Sequence, residues 1–171
     1  MMSGVVREKG IKRQMLAFAV LCLLATPAAA QDYNKGATAY ARGDFAAALQ
    51  EWRPLAEQGN ASAQFNLGQM YFLGRGISQN YAEALKWYTR AAEQDDTGAA
   101  TAIGSMYETG RGVQQDLVRA YMWHALAVEH GGRYPYYTRD VKVARDEVAR
   151  RLTPEQLAEG QKLVREWMAS R

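Results

Sequence analysis

The sequence has 171 residues, of which 48% are hydrophobic and 23% charged, with one cysteine and two histidines. A chain of this size buries roughly two-thirds of its surface and supports one stable domain without disulfide or metal staples. The net charge of +3 arises within the first 30 residues, which hold four basic residues and one acidic residue. Downstream, 17 of each sign remain (21 less four, 18 less one), so the basic balance is no evidence for nucleic-acid or membrane-surface binding.

In chain order, residues 1–30 read as a secretory signal peptide. Arg7, Lys9, Lys12 and Arg13 precede the apolar run Met15 to Ala25, and Ala28 and Ala30 supply the small residues of an A-x-A cleavage site. The run has 11 residues, short of the roughly 20 that span a bilayer. The expectation is cleavage after Ala30, a periplasmic or secreted location, and no stable membrane insertion afterwards; an uncleaved anchor is the other reading. Cys22, after bulky Leu21, is a poor lipid-attachment site, and its loss would leave no disulfide, thiolate metal site or cysteine nucleophile.

Residues 31–60, 61–96 and 97–131 then read as three repeats. Residues 61–96 laid on 97–132 at an offset of 36 give 12 identities, among them Gly68/Gly104, Tyr71/Tyr107, Trp87/Trp123 and the loop Gly74-Arg75-Gly76 over Gly110-Arg111-Gly112. A fixed period of this length marks a solenoid. Residues 45–58 match 81–94 at the same offset with six identities, whereas Gly36 and Tyr40 match Gly68 and Phe72 at an offset of 32. The first unit therefore has a shorter turn, Ala41 to Asp44.

Each unit is predicted to be two antiparallel helices. Ala63, Leu67, Met70 and Tyr71 fall at helical spacing, as do Tyr81, Ala84, Leu85 and Tyr88. Asn80 and Asp116 are placed to cap second helices, and the loop glycines suit helix C-termini. Gly68 and Gly104 sit mid-helix at a cost of about 1 kcal/mol relative to Ala. Their recurrence points to close helix crossings, with Ala84, Ala91, Ala120 and Ala127 expected as small partners and Trp87 and Trp123 filling the space between units. Pro54, inside a second helix, is expected to kink it or end it early. Residues 132–171 read as two capping helices. Val141, Val143, Ala144, Val148 and Leu152 mark one. Thr153-Pro154-Glu155-Gln156 starts the other with a capping box, and Leu157, Leu163, Val164 and Trp167 give it an apolar face.

These residues resemble the Sel1-like repeat family, a relative of the tetratricopeptide repeat. The match runs through Ala61 to Gln64, Leu67-Gly68, Met70-Tyr71, Gly74-Arg75-Gly76, Ala84, Trp87-Tyr88 and Ala91 to Glu93. It recurs at Ile103-Gly104, Tyr107, Gly110-Arg111-Gly112, Ala120 and Trp123. The resemblance implies an all-α fold, a right-handed α-solenoid of antiparallel helix pairs with C-terminal capping helices. It also implies a concave groove for a protein or peptide partner. Counting from the repeat glycine, the groove positions are Tyr40, Phe65, Gln69, Phe72, Thr101, Ser105 and Glu108. Phe65 and Phe72 have a second reading, as packing residues inside the solenoid.

Little in the sequence resembles a catalytic site. His124 and His130, six residues apart, do not share a helix face and give no metal or acid–base spacing. His124 stands where Trp52 and Tyr88 stand in the other units and reads as filling an aromatic slot. Gly-Arg-Gly lacks the Lys-Ser/Thr of a phosphate loop. Glu93, Asp95 and Asp96 read as a solvated helix end, Glu108 as the ion-pair partner of Arg111, and Tyr134 to Tyr137 as an aromatic seal or an exposed patch. The functional expectation is a non-catalytic protein–protein interaction or scaffold module of the cell envelope, with no cofactor, no metal and no nucleic acid. The other readings are an envelope-acting hydrolase and a structural subunit of a larger complex.

Overall fold

The computed structural model describes residues 32–131 and 135–171, with the side chains of residues 135–139 outside that description. The segment read as a signal peptide, Tyr134, and the side chains of Tyr136 and Tyr137 therefore lie outside the described residues. Among the described residues there are eight helices and no strand: α1 Tyr33–Ala41, α2 Phe45–Glu57, α3 Ala61–Leu73, α4 Tyr81–Ala92, α5 Thr97–Thr109, α6 Leu117–His130, α7 Pro135–Arg150 and α8 Pro154–Ala169.

Side-chain caps set the starts. Asp32, Asp44, Asn60, Asn80, Asp96 and Asp116 each accept a backbone N–H from the first turn, satisfying a donor that the helix leaves unpaired. Thr153 and Gln156 form the reciprocal capping box of α8. Gly74 and Gly110 end α3 and α5 in the left-handed region, at φ 69° and 71°. The long turns are then tied back in the same way in both copies. Gln79 Nε2 donates to the Phe72 carbonyl and Gln115 Nε2 to that of Glu108, each at 2.8 Å. Pro54 neither ends α2 nor leaves it short; the helix runs on to Glu57.

Each helix packs on the next from α1 to α6, so the repeats stack in sequence order. Helices α7 and α8 then both pack on α6. Val141 and Val148 are buried, while Val143 points to solvent. Leu157 and Val164 of α8 pack around buried Tyr121, and Trp123 meets Trp167 edge-on with centroids 4.9 Å apart. Trp87 joins the core that holds Trp52 and Leu67, bridging the first two units.

The crossings within each unit are close for a reason other than the one expected. The buried alanines are present, but the repeat glycine faces an aromatic ring of the second helix. A Cβ on Gly68 would lie 2.6 Å from Tyr88 Cδ1, and one on Gly104 would lie 2.7 Å from His124 Cε1. Gly36 meets the Trp52 indole in the same way, with Cδ1 2.6 Å from an added Cβ, and Gly160 of α8 meets Tyr121 at 2.7 Å. Each ring occupies the place that a side chain on the glycine would take, and gains dispersion contacts with the bare backbone there.

Gly68→Ala tests this contact. Helix propensity alone would stabilise that variant by about 1 kcal/mol. Displacement of the Tyr88 ring is expected to outweigh it, for a net loss of about 1–3 kcal/mol. Urea denaturation reads the sign directly, and a midpoint at or above wild type would show that the ring has room to move.

Candidate partner-binding groove

Three of the seven groove positions converge. Phe65 and Gln69 from α3 and Thr101 from α5 line one cavity of about 930 Å³. Its far wall is supplied by the Gln94–Gly98 turn and by His130, Asp140 and Val141. Phe65 is half-buried there, its ring 5.8 Å from that of Tyr88 and against Gly98. Thr101 returns its hydroxyl to the Thr97 carbonyl at 2.8 Å, which fixes its rotamer.

The other four lie outside this cavity. Phe72 packs against Tyr81 and Tyr88, with centroids 5.2 and 6.5 Å away. Tyr40 packs on Phe45 and Trp52 and accepts a 2.7 Å hydrogen bond from Arg75, whose guanidinium also lies over the Tyr40 and Phe45 rings. The Gly-Arg-Gly turn of one unit thus clasps the aromatic residues of the unit before it. Ser105 is exposed on α5.

Glu108 is held differently from expectation. Arg151, not Arg111, is its partner, at 2.5 Å. A residue 43 positions away is invisible to helix-spacing arguments. The other carboxylate oxygen of Glu108 lies 3.8 Å from His124 Nε2. His124 is 1% exposed, and neither ring nitrogen has a hydrogen-bond partner among the described residues. Burial pushes this imidazole below its ordinary value, and Glu108 offsets the shift only in part.

The acidic corner also differs from a solvated helix end. Asp96 caps α5, and burial raises its carboxyl above the ordinary range despite two backbone N–H donors. Asp95, at φ 65°, lies 3.0 Å from His130 Nδ1 and is met by the Arg171 guanidinium, which also reaches the Glu93 carbonyl. Gln94, His130, Asp140 and Val141 were not legible as groove residues. Asp140 and Val141 reach the cavity because α7 packs on α6, and Gln94 and His130 because the α4–α5 turn and the end of α6 meet there; no local pattern encodes either meeting.

Among the described residues, no three His, Cys, Asp or Glu side chains cluster as a metal site. No helix there is long and apolar enough to cross a membrane.

Helix pairs stacked in sequence order, with glycine–ring crossings and a lined inner face, define an α-solenoid of repeat type. Residues 61–96 and 98–132 match the Sel1 repeat family model, so the chain carries two Sel1 repeats. Among solved structures it is similar to a protective antigen present in uropathogenic Escherichia coli strains that displays an SLR fold. That match has 26% identity and a TM-score of 0.74 over 92% of this chain and 33% of the antigen. It is also similar to a Sel1 repeat protein from Oxalobacter formigenes, with 34% identity and a TM-score of 0.54 over 72% of this chain and 55% of that one. The chain thus spans about a third of one relative and about half of the other. No curated protein matches it. Sel1 repeats in general are protein–protein interaction modules and non-catalytic scaffolds.

The buried imidazole makes stability depend on pH. The folded state holds His124 below its ordinary value of 6.5, so the unfolded chain takes up a proton first. Stability is therefore complete above about pH 6.5 and falls as the pH drops toward the lowered folded-state value. Thermal melting between about pH 7 and 5.5 should show a decline in wild type that His124→Phe flattens. Equal slopes in the two proteins would mean that His124 binds its proton as readily in the folded as in the unfolded chain.

Proposed function

We propose that this chain is a non-catalytic interaction module of the cell envelope that holds a partner protein or peptide in the concave groove of a right-handed superhelix. The observation that carries the reading is the cavity shared by Phe65, Gln69 and Thr101. Side chains from two successive first helices contribute to one recess of about 930 Å³, large enough to enclose several side chains of an extended segment. Phe72 packs on the same Tyr88 ring as Phe65, and Ser105 continues the strip along α5. The envelope location rests on the charge, apolar run and small residues of the first 30 positions.

Two measurements test the proposal. A photo-crosslinking residue at Gln69 is expected to capture the partner in envelope extracts, while one at exposed Lys86 on α4 captures nothing. Equal capture at both positions, or capture at Lys86 alone, would remove the groove from the account. Separately, the exported protein is expected to have a mass that begins at Gln31; a species retaining Met15 to Ala25 would replace the exported module with an anchored one.

A further inference from the structure

The cavity has a chemical character that the repeat pattern does not convey. Among the described residues lining it are Asp95, Asp96 and Asp140, and none is lysine or arginine. Phe65 and Val141 supply its apolar walls. The acidic turn already carries a cation from elsewhere in the chain: Arg171, 76 positions from Asp95, places its guanidinium on that carboxylate and on the Glu93 carbonyl. This turn therefore has the geometry to seat a planar cation, with a carboxylate and a backbone oxygen side by side. Asp140 is exposed and has no ion pair among the described residues.

We infer that the groove selects a basic partner segment, one in which an arginine or lysine stands close to an aromatic or aliphatic side chain. The cation meets Asp140, the exposed rim carboxylate without an ion pair among the described residues, beside an acidic turn whose own cation is already in place, and the walls of the recess focus its field. The apolar side chain lies against Phe65 and Val141 and loses its contact with water. An acidic segment would meet like charge at Asp140, so the rim rejects as well as attracts. This rests on the groove reading above and adds the partner's chemistry to it.

The test is selection from a random phage-displayed peptide library on the whole exported chain, followed by affinity measurement of the enriched peptides. Peptides pairing Arg or Lys with an aromatic or aliphatic residue are expected to dominate. Thr101→Trp, which fills the recess, should abolish their binding. Asp140→Lys, at an exposed position that leaves folding unaffected, should weaken them by about tenfold, the scale of one lost charge-assisted contact. Melting curves identify any loss that reflects unfolding. Enriched peptides without basic residues that Thr101→Trp still abolishes would overturn the basic-partner inference and leave the groove intact. Enriched peptides indifferent to Thr101→Trp, or a library from which nothing is retained, would overturn both.

Discussion

The contact on which the rest of this solenoid depends is an aromatic ring laid on a mid-helix glycine. Gly36 receives Trp52, Gly68 receives Tyr88 and Gly104 receives His124, one such pair in each unit. The glycine is unfavourable to its own helix by about 1 kcal/mol. In return, the two helices of a unit approach until a ring of one meets the backbone of the other, and close packing of this kind rejects even one added methyl. Gly160 and Tyr121 repeat the arrangement between α8 and α6, so the same contact that builds each unit also fastens the final helix.

That contact places the groove. With Tyr88 pressed beneath Gly68, Phe65 and Phe72, on either side of the glycine along α3, lean on the same ring. Both are thus partly committed to packing, and only Phe65 also lines the recess. Groove and core are not separate sets of residues here. A first-helix side chain can anchor the fold on one face and meet a partner on the other.

The third unit varies the theme. The ring on its glycine is an imidazole, which fits the slot in shape but brings in two polar nitrogens that have no hydrogen-bond partner among the described residues. Burying such atoms unpaired is unfavourable, and the neutral form is the one tolerated. Glu108, 3.8 Å away, is drawn instead to Arg151 beyond the end of α7, tying the last repeat to the chain that follows it. A residue at a groove position of the repeat thereby serves as a joint to the tail.

The sequence by itself determined the helix pairs, their period and their ends. Caps at Asn80, Asp116 and Thr153 and the left-handed terminators Gly74 and Gly110 act within a few residues, so spacing reveals them. It also showed that Gly68 and Gly104 mark close crossings and that His124 occupies the slot of Trp52 and Tyr88, because repeats can be read against one another. Only the tertiary structure decided what fills the crossing, a ring rather than the expected alanines, since facing atoms depend on helix rotation. It alone paired Glu108 with Arg151 and Asp95 with His130 and Arg171. It alone closed a recess with Asp140 and Val141, residues of a tail that has no repeat to be compared with. Short-range hydrogen bonding and periodic burial leave a trace in the order of residues. Contacts between segments tens of residues apart form only when the intervening helices have packed, and no local pattern records them.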